Sequence, residues 1–168
     1  MSEIEDSAVD AVCQEVGRLA PWRIPIEMGK AGAAQPELLA FILESTEGMA
    51  PGVNELAGFI YFVVWRTFRR ETKGELPKVT SDAIQKRLER NEQELARLDD
   101  VDIALIDTAT YRQVTTQPAL FRYMLETLAA AEENEDQPLA IPAEDKASLM
   151  ILLMTAIDLL DEARDNAH

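Results

Sequence analysis

Residues 53–72 read Val53-Asn-Glu-Leu-Ala-Gly-Phe-Ile-Tyr-Phe-Val-Val-Trp65-Arg-Thr-Phe-Arg-Arg-Glu-Thr72. From Leu56 to Trp65 the run carries no charge and is apolar almost all round, the pattern of a helix packed on several sides. Gly74 and Pro77 follow, residues that end such a helix. A second charge-free run, Ala147 to Ile157, lies in a segment from about Ala143 to Arg164. There Ala147, Met150, Ile151, Met154, Ile157 and Leu160 recur at three- and four-residue steps. The two runs span ten and eleven residues, against the roughly 20 that a membrane-crossing helix needs. Both are read as buried helices, and the fold class expected is all-α.

Working outward, Val9, Val12, Cys13 and Val16 share one face of a first helix, with Ser2 or Ser7 as its N-cap and Gly17 and Pro21 as its end. Pro36 opens a short helix that Gly48 and Pro51 close. Thr80, Ser81 and Asp82 form a cap cluster for a helix in which Ile84, Leu88, Leu95 and Leu98 make a short heptad seam, with Asn91 at the missing position. Pro118 starts a helix through Leu120, Phe121, Met124, Leu125 and Leu128. The connection from Gln137 to Pro142 suits an antiparallel pair with the last helix. Residues 103–114 are read as helix, with a short strand near Val101–Leu105 as the alternative. The expected whole is one domain over 1–168, a bundle of six or seven helices.

The segment from about 19 to 35 reads differently. Pro21, Pro25, Gly29 and Gly32 are poor company in a helix. Trp22, Ile24, Ile26 and Met28 alternate with Arg23, Pro25 and Glu27, the period of an extended strand. An irregular, partly extended segment is expected here. Its four large apolar side chains either close the core or form a contact surface for a partner.

Composition removes several chemistries. The 168 residues hold one Cys and one His, with 31 acids against 16 bases and a net charge of −15. Cys13 alone forms no internal disulfide and no Cys-rich zinc site, so a reducing, cytoplasmic setting is expected. His168 is the last residue, a poor base for a nucleophile triad. The opening Met-Ser-Glu-Ile-Glu-Asp is acidic where a secretory signal is basic. The acidic field disfavours nucleic-acid binding. Only residues 48–78 are net positive, with five bases and three acids. Arg66, Arg69, Arg70, Lys73 and Lys78 cluster there beside Trp65 and Phe68. They complement the negative end of a helix dipole or, as the alternative, hold an anion.

The acids offer one metal hypothesis. Asp158, Asp161, Glu162 and Asp165 fall at three- and four-residue steps on one helical face, where they form a solvated stripe or, with Asp158, Asp161 and Glu162 as ligands, a site for Mg²⁺ or Mn²⁺. Glu132-x-x-Glu135 with Glu162-x-x-Asp165 resembles the acidic motif of the all-α nucleotide pyrophosphohydrolases of the MazG type. That resemblance implies a divalent metal held against a nucleotide triphosphate. An antiparallel hairpin turning near Leu139 opposes it, since Glu133 then faces the neighbourhood of Lys146, and Glu162 lies a further sixteen residues, about 24 Å, along the helix.

No Gly-rich phosphate loop, dinucleotide fingerprint or EF-hand loop is present. The function expected is therefore a non-enzymatic interaction or regulatory protein without cofactor. It would bind a protein partner or itself, plausibly as a homodimer, through helix faces and Trp22, Ile24, Ile26 and Met28. A metal-dependent phosphohydrolase acting on nucleotides is the alternative, and an acidic decoy imitating DNA is the third reading.

Overall fold

The protein is described from a computed structural model covering residues 3–96 and 115–167. These form seven helices: α1 (Asp6–Gly17), α2 (Arg23–Ala34), α3 (Pro36–Thr46), α4 (Val53–Glu71), α5 (Ser81–Ala96), α6 (Pro118–Glu132) and α7 (Ala143–Asp165). There is no strand among the described residues, and the chain is all-α. The helix or strand expected between 101 and 114 lies outside the described residues, as do Ser2, Leu98 and His168.

The two charge-free runs become the centre. In α4 every residue from Ile60 to Trp65 is buried, and in α7 every residue from Leu152 to Asp161. The two helices pack on each other, and α1, α2, α3 and α6 cover α4 while α3, α5 and α6 cover α7. Fully burying a side chain such as Phe68 or Ile157 contributes about 1.5–3 kcal/mol each. Hydroxyls inside these greasy helices bond to the backbone one turn back, which spares them an unmet donor. Thr67 Oγ1 donates to Val63 O at 2.7 Å and Thr155 Oγ1 to Ile151 O at 2.7 Å. No helix of the described residues is long and apolar enough to cross a membrane.

The predicted starts at Pro36, Thr80 and Pro118 hold, and that of α1 differs. Thr80 caps α5, its Oγ1 accepting from Ala83 N at 3.2 Å. Helix α1, by contrast, starts after Glu5 without a side-chain cap, and Ser7 lies inside it. The hairpin of α6 and α7 closes where Leu139 N donates to Ala131 O at 3.0 Å and Lys146 Nζ meets Glu132 Oε1 at 2.5 Å. Before α4, Gly52 takes φ 87°, a left-handed turn open to glycine, and a Cβ there would stand 2.7 Å from Leu139 Cδ1.

The larger correction concerns residues 19–35, expected to be irregular and partly extended. Residues 23–34 are the helix α2. Pro25 is its third residue, inside the first turn, where N–H groups have no intrahelical partner and a missing one costs no ladder bond. Gly32 sits where α2 meets α3, and a Cβ there would stand 3.0 Å from Leu39 Cδ2. What favours the helix is Glu27, only 7% exposed. Its Oε1 receives Arg23 Nη2 at 3.2 Å and Lys30 Nζ at 2.9 Å. Those partners stand four residues before and three after, which only helical spacing brings to one carboxylate.

Two buried glutamines tie the helices to the segments between them. Gln35 precedes Pro36 and Gln117 precedes Pro118, with backbone angles of −135°, 70° and −129°, 74°. Gln35 Oε1 accepts from Val79 N at 2.8 Å and its Nε2 donates to Pro77 O at 2.9 Å. Gln117 Oε1 accepts from Ile4 N at 2.7 Å. Gln35→Ala strands two polar groups of the 72–80 segment, so we expect a loss of about 1–3 kcal/mol in chemical denaturation, with far-ultraviolet dichroism of the native state unchanged.

Candidate functional site

A helix at 23–34 sorts the four predicted contact residues into two pairs. At 100° per residue, positions two apart face opposite ways and positions four apart share a side. Trp22 and Ile26 accordingly stand out at 69% and 52% exposure, while Ile24 and Met28 are half-buried. Besides Leu43, Trp22 and Ile26 are the only large apolar side chains exposed among the described residues. Met28 packs against the core. The segment thus has an inner side that meets the core through Met28 and an outer side that carries Trp22 and Ile26.

Ile24 lines an open groove of about 520 Å³ between α1, α4, α6 and the turn before α2. Val16, Phe59, Val63, Tyr123 and Cys13 form much of its wall. Burial first, and Asp10 second, push the Cys13 thiol above its usual range. The group stays protonated at neutral pH and behaves as a small apolar side chain, not as a nucleophile. Burial likewise pushes the Tyr123 hydroxyl up. Nothing in this groove is poised for proton transfer; it offers shape and apolar surface.

The bases of the first 47 residues gather around α2. All three bases of residues 1–47 are Arg18, Arg23 and Lys30. The acid among them, Glu27, points inward, where Lys30 first, with Arg66 and Arg23, holds its carboxyl below the usual range. Arg18, Arg23 and Lys30 are themselves exposed. The outward face of α2 is therefore apolar with a cationic fringe.

The cation cluster at the end of α4 does not act as a unit. Arg66 ties α4 to α1 and α2, pairing with Glu15 and with Glu27 Oε2 at 3.2 Å, while its guanidinium lies over Phe62 at 5.9 Å. Arg70 pairs with Glu15 and Glu71. Arg69, Lys73 and Lys78 have no carboxylate partner among the described residues.

The acids of α7 do not form the expected solvated stripe. Asp158 and Asp161 are buried, each 8% exposed, and Glu162 and Asp165 are exposed. Asp161 is matched by Arg164 Nη2 at 3.0 Å, Gln117 Nε2 at 3.0 Å and Thr116 Oγ1 at 2.6 Å. Asp158 Oδ2 accepts from Asn91 Nδ2 at 3.0 Å, and Asn91 also donates to Thr155 Oγ1 at 3.0 Å. The amide at the gap in the heptad seam is thus what receives the carboxylate. Glu162 pairs instead with Arg87. No three His, Cys, Asp or Glu side chains come together in a way that could hold a metal among the described residues. Glu132, of the pyrophosphohydrolase-like motif, is held by Lys146 at the far end of the hairpin from Glu162. The structure does not bring the two halves of that motif together.

Compared with protein-family models, with curated proteins and with solved structures, the chain matches none of them. The functional reading rests on the chemistry of these surfaces.

Burial pushes the Asp158 carboxyl up to about 6, Asn91 and Arg87 offsetting part of the rise and Asp161 and Glu94 adding to it. A carboxyl that holds its proton more tightly in the fold than in the open chain stabilises the fold below the unfolded value of 3.8, and that contribution is lost as pH rises through about 6. Asp158→Asn removes this dependence. Urea denaturation should show the variant gaining on the wild type by on the order of 2–3 kcal/mol between about pH 4 and about pH 7.5.

Proposed function

We propose that the protein is a non-enzymatic interaction module that captures an amphipathic segment of a partner protein on α2 and in the adjoining groove. The observation that carries this reading is the exposure of Trp22 together with Ile26, one helical turn apart on the outer side of α2, whose other side lines the groove through Ile24. Water-exposed tryptophan is costly to keep in a monomer, and in interfaces it supplies large contact area from a side chain with little freedom to lose. Ile24, Val16 and Phe59 offer an apolar floor for residues the partner inserts.

The fringe of Arg18, Arg23 and Lys30 selects the partner's chemistry. A segment with bulky apolar residues flanked by Asp or Glu meets opposite charge on approach. A second copy docking α2 against α2 brings those cations face to face, which costs energy, so an acidic partner segment is favoured over a homodimer. The half-buried, protonated Cys13 supports a reducing, cytoplasmic setting.

A displayed library of amphipathic peptides tests this directly. Acidic, apolar-rich sequences should be enriched, and Trp22→Ala should weaken their binding by about tenfold or more without lowering the melting temperature, because the removed side chain stands in solvent. Peptide binding unaffected by Trp22→Ala would count against the reading. Sedimentation of the purified protein separates the other occupant: a dimer dissolved by the same substitution assigns the surface to self-association.

A further inference from the structure

A second cavity, sharing no lining residue with the groove, lies where the C-terminal end of α2 and the end of α4 meet the segment from 72 to 80. Its volume is about 590 Å³. Trp65 and Arg69, one turn apart on α4, form one side; Ala34 of α2 and Pro77 form apolar walls; Lys78 and Glu75 stand at its edge. Gln35 fixes the facing segment through Pro77 O and Val79 N, so this wall is held in place without a ligand. Arg69 Nη1 lies along the same segment, donating to Gly74 O at 3.3 Å.

Two features of the lining are out of keeping with the rest of the molecule. Acids outnumber bases 31 to 16, and most described cations are ion-paired, yet Arg69 and Lys78 meet no carboxylate among the described residues. Glu75 shares their cavity and still forms no ion pair with either. Trp65 is 7% exposed, and its indole N–H is buried without a hydrogen-bond partner. Such unmatched donors cost free energy and call for an explanation.

We propose that this cavity binds a small organic carboxylate with a flat apolar body. The guanidinium of Arg69 presents a planar fork suited to a carboxylate, and the Lys78 ammonium adds a second positive charge. The apolar body lies against Trp65, Ala34 and Pro77. Glu75 on the same rim favours a single negative charge over a doubly charged phosphate. The proposal is independent of the partner surface at Trp22, and either can fail alone.

Benzoate serves as the probe, with benzamide as its neutral counterpart and inorganic phosphate as the other anion. In a Trp22→Phe variant Trp65 is the sole tryptophan and its fluorescence reports occupancy. Benzoate should change it saturably with a half-point at or below about 1 mM, and benzamide should not. Arg69→Gln and Lys78→Gln, both at exposed positions, should each raise the half-point about fivefold or more while leaving the melting temperature unchanged. As an independent readout, benzoate should raise the melting temperature of the wild type and fail to raise that of Arg69→Gln. No saturable change up to about 10 mM benzoate, an equal response to benzamide, tighter binding of phosphate than of benzoate, or an unaltered half-point in both variants would overturn the proposal.

Discussion

Helix α7 has almost no side that faces water. Between Leu149 and Arg164 only half-buried Ile151 and exposed Glu162 escape full burial, so neighbours must surround it, and the arrangement of the other helices follows from that need. A helix enclosed in this way carries its polar residues inward with the rest. Asp158 and Asp161 are taken out of water, and each requires compensation on the spot, because an unpaired buried charge costs several kcal/mol. Asp161 receives it in full, from a cation and two neutral donors. Asp158 receives a neutral amide, with Arg87 acting from further away, which is why its proton affinity rises. Asp161 is served by Arg164 of α7 itself and by Thr116 and Gln117 just before α6, and Asp158 by Asn91 of α5.

The same logic governs α4, which carries no charge between Glu55 and Arg66. Arg66 is the one cation near its middle, and it leaves the apolar cylinder by reaching across to Glu15 and Glu27 while its flat face rests on Phe62. Its pairing joins three helices whose sequences lie as many as 51 residues apart. Arg164 repeats the device on α7, pairing with Asp161 and lying over Phe68 at 5.7 Å. In both places an arginine bridges a carboxylate and an aromatic face, which suits a planar, weakly hydrated cation.

Much of the bundle was legible from apolar spacing and end signals, since Pro36, Pro118, Thr80 and Gly17 mark helix ends through backbone chemistry that acts locally. Helix α2 was not, because what holds it is not local. Its two buried residues are Glu27 and Ala31, so no apolar stripe announces it, and Arg66, the partner that fixes Glu27 in place, is 39 positions away. The two-residue alternation of Trp22, Ile24, Ile26 and Met28 is equally a pattern of two opposed pairs on a helix. The four apolar residues were thus legible as a set, but the division into exposed and half-buried members needed the backbone. The acids of α7 misled for the converse reason. A helix apolar all round has no polar face to point at solvent, so acidic residues on it carry no information about which way they turn. The two Gln-Pro pairs did carry a usable signal: proline at the first helical position holds the preceding residue extended, where a long amide can reach a neighbouring strand of backbone.

Helix α2 is consequently seated by charge as well as by the apolar contacts of Met28, Ala31 and Ala34 with the core. It touches chiefly α3 and α4, and at its centre a carboxylate faces three cations. The pairs with exposed Arg23 and Lys30 are open to screening by salt, while Arg66, less exposed, holds the inner oxygen of a carboxylate that is itself little exposed. With Glu27, Met28, Ala31 and Ala34 on the inner side, Trp22 and Ile26 are left on the outer side. At one end α2 borders the groove, at the other the cavity beneath Trp65 and Arg69, with Gln35 locking the junction to α3. Ion pairs add direction to a small apolar inner face, so α2 keeps one orientation while its two ends stay beside open surface.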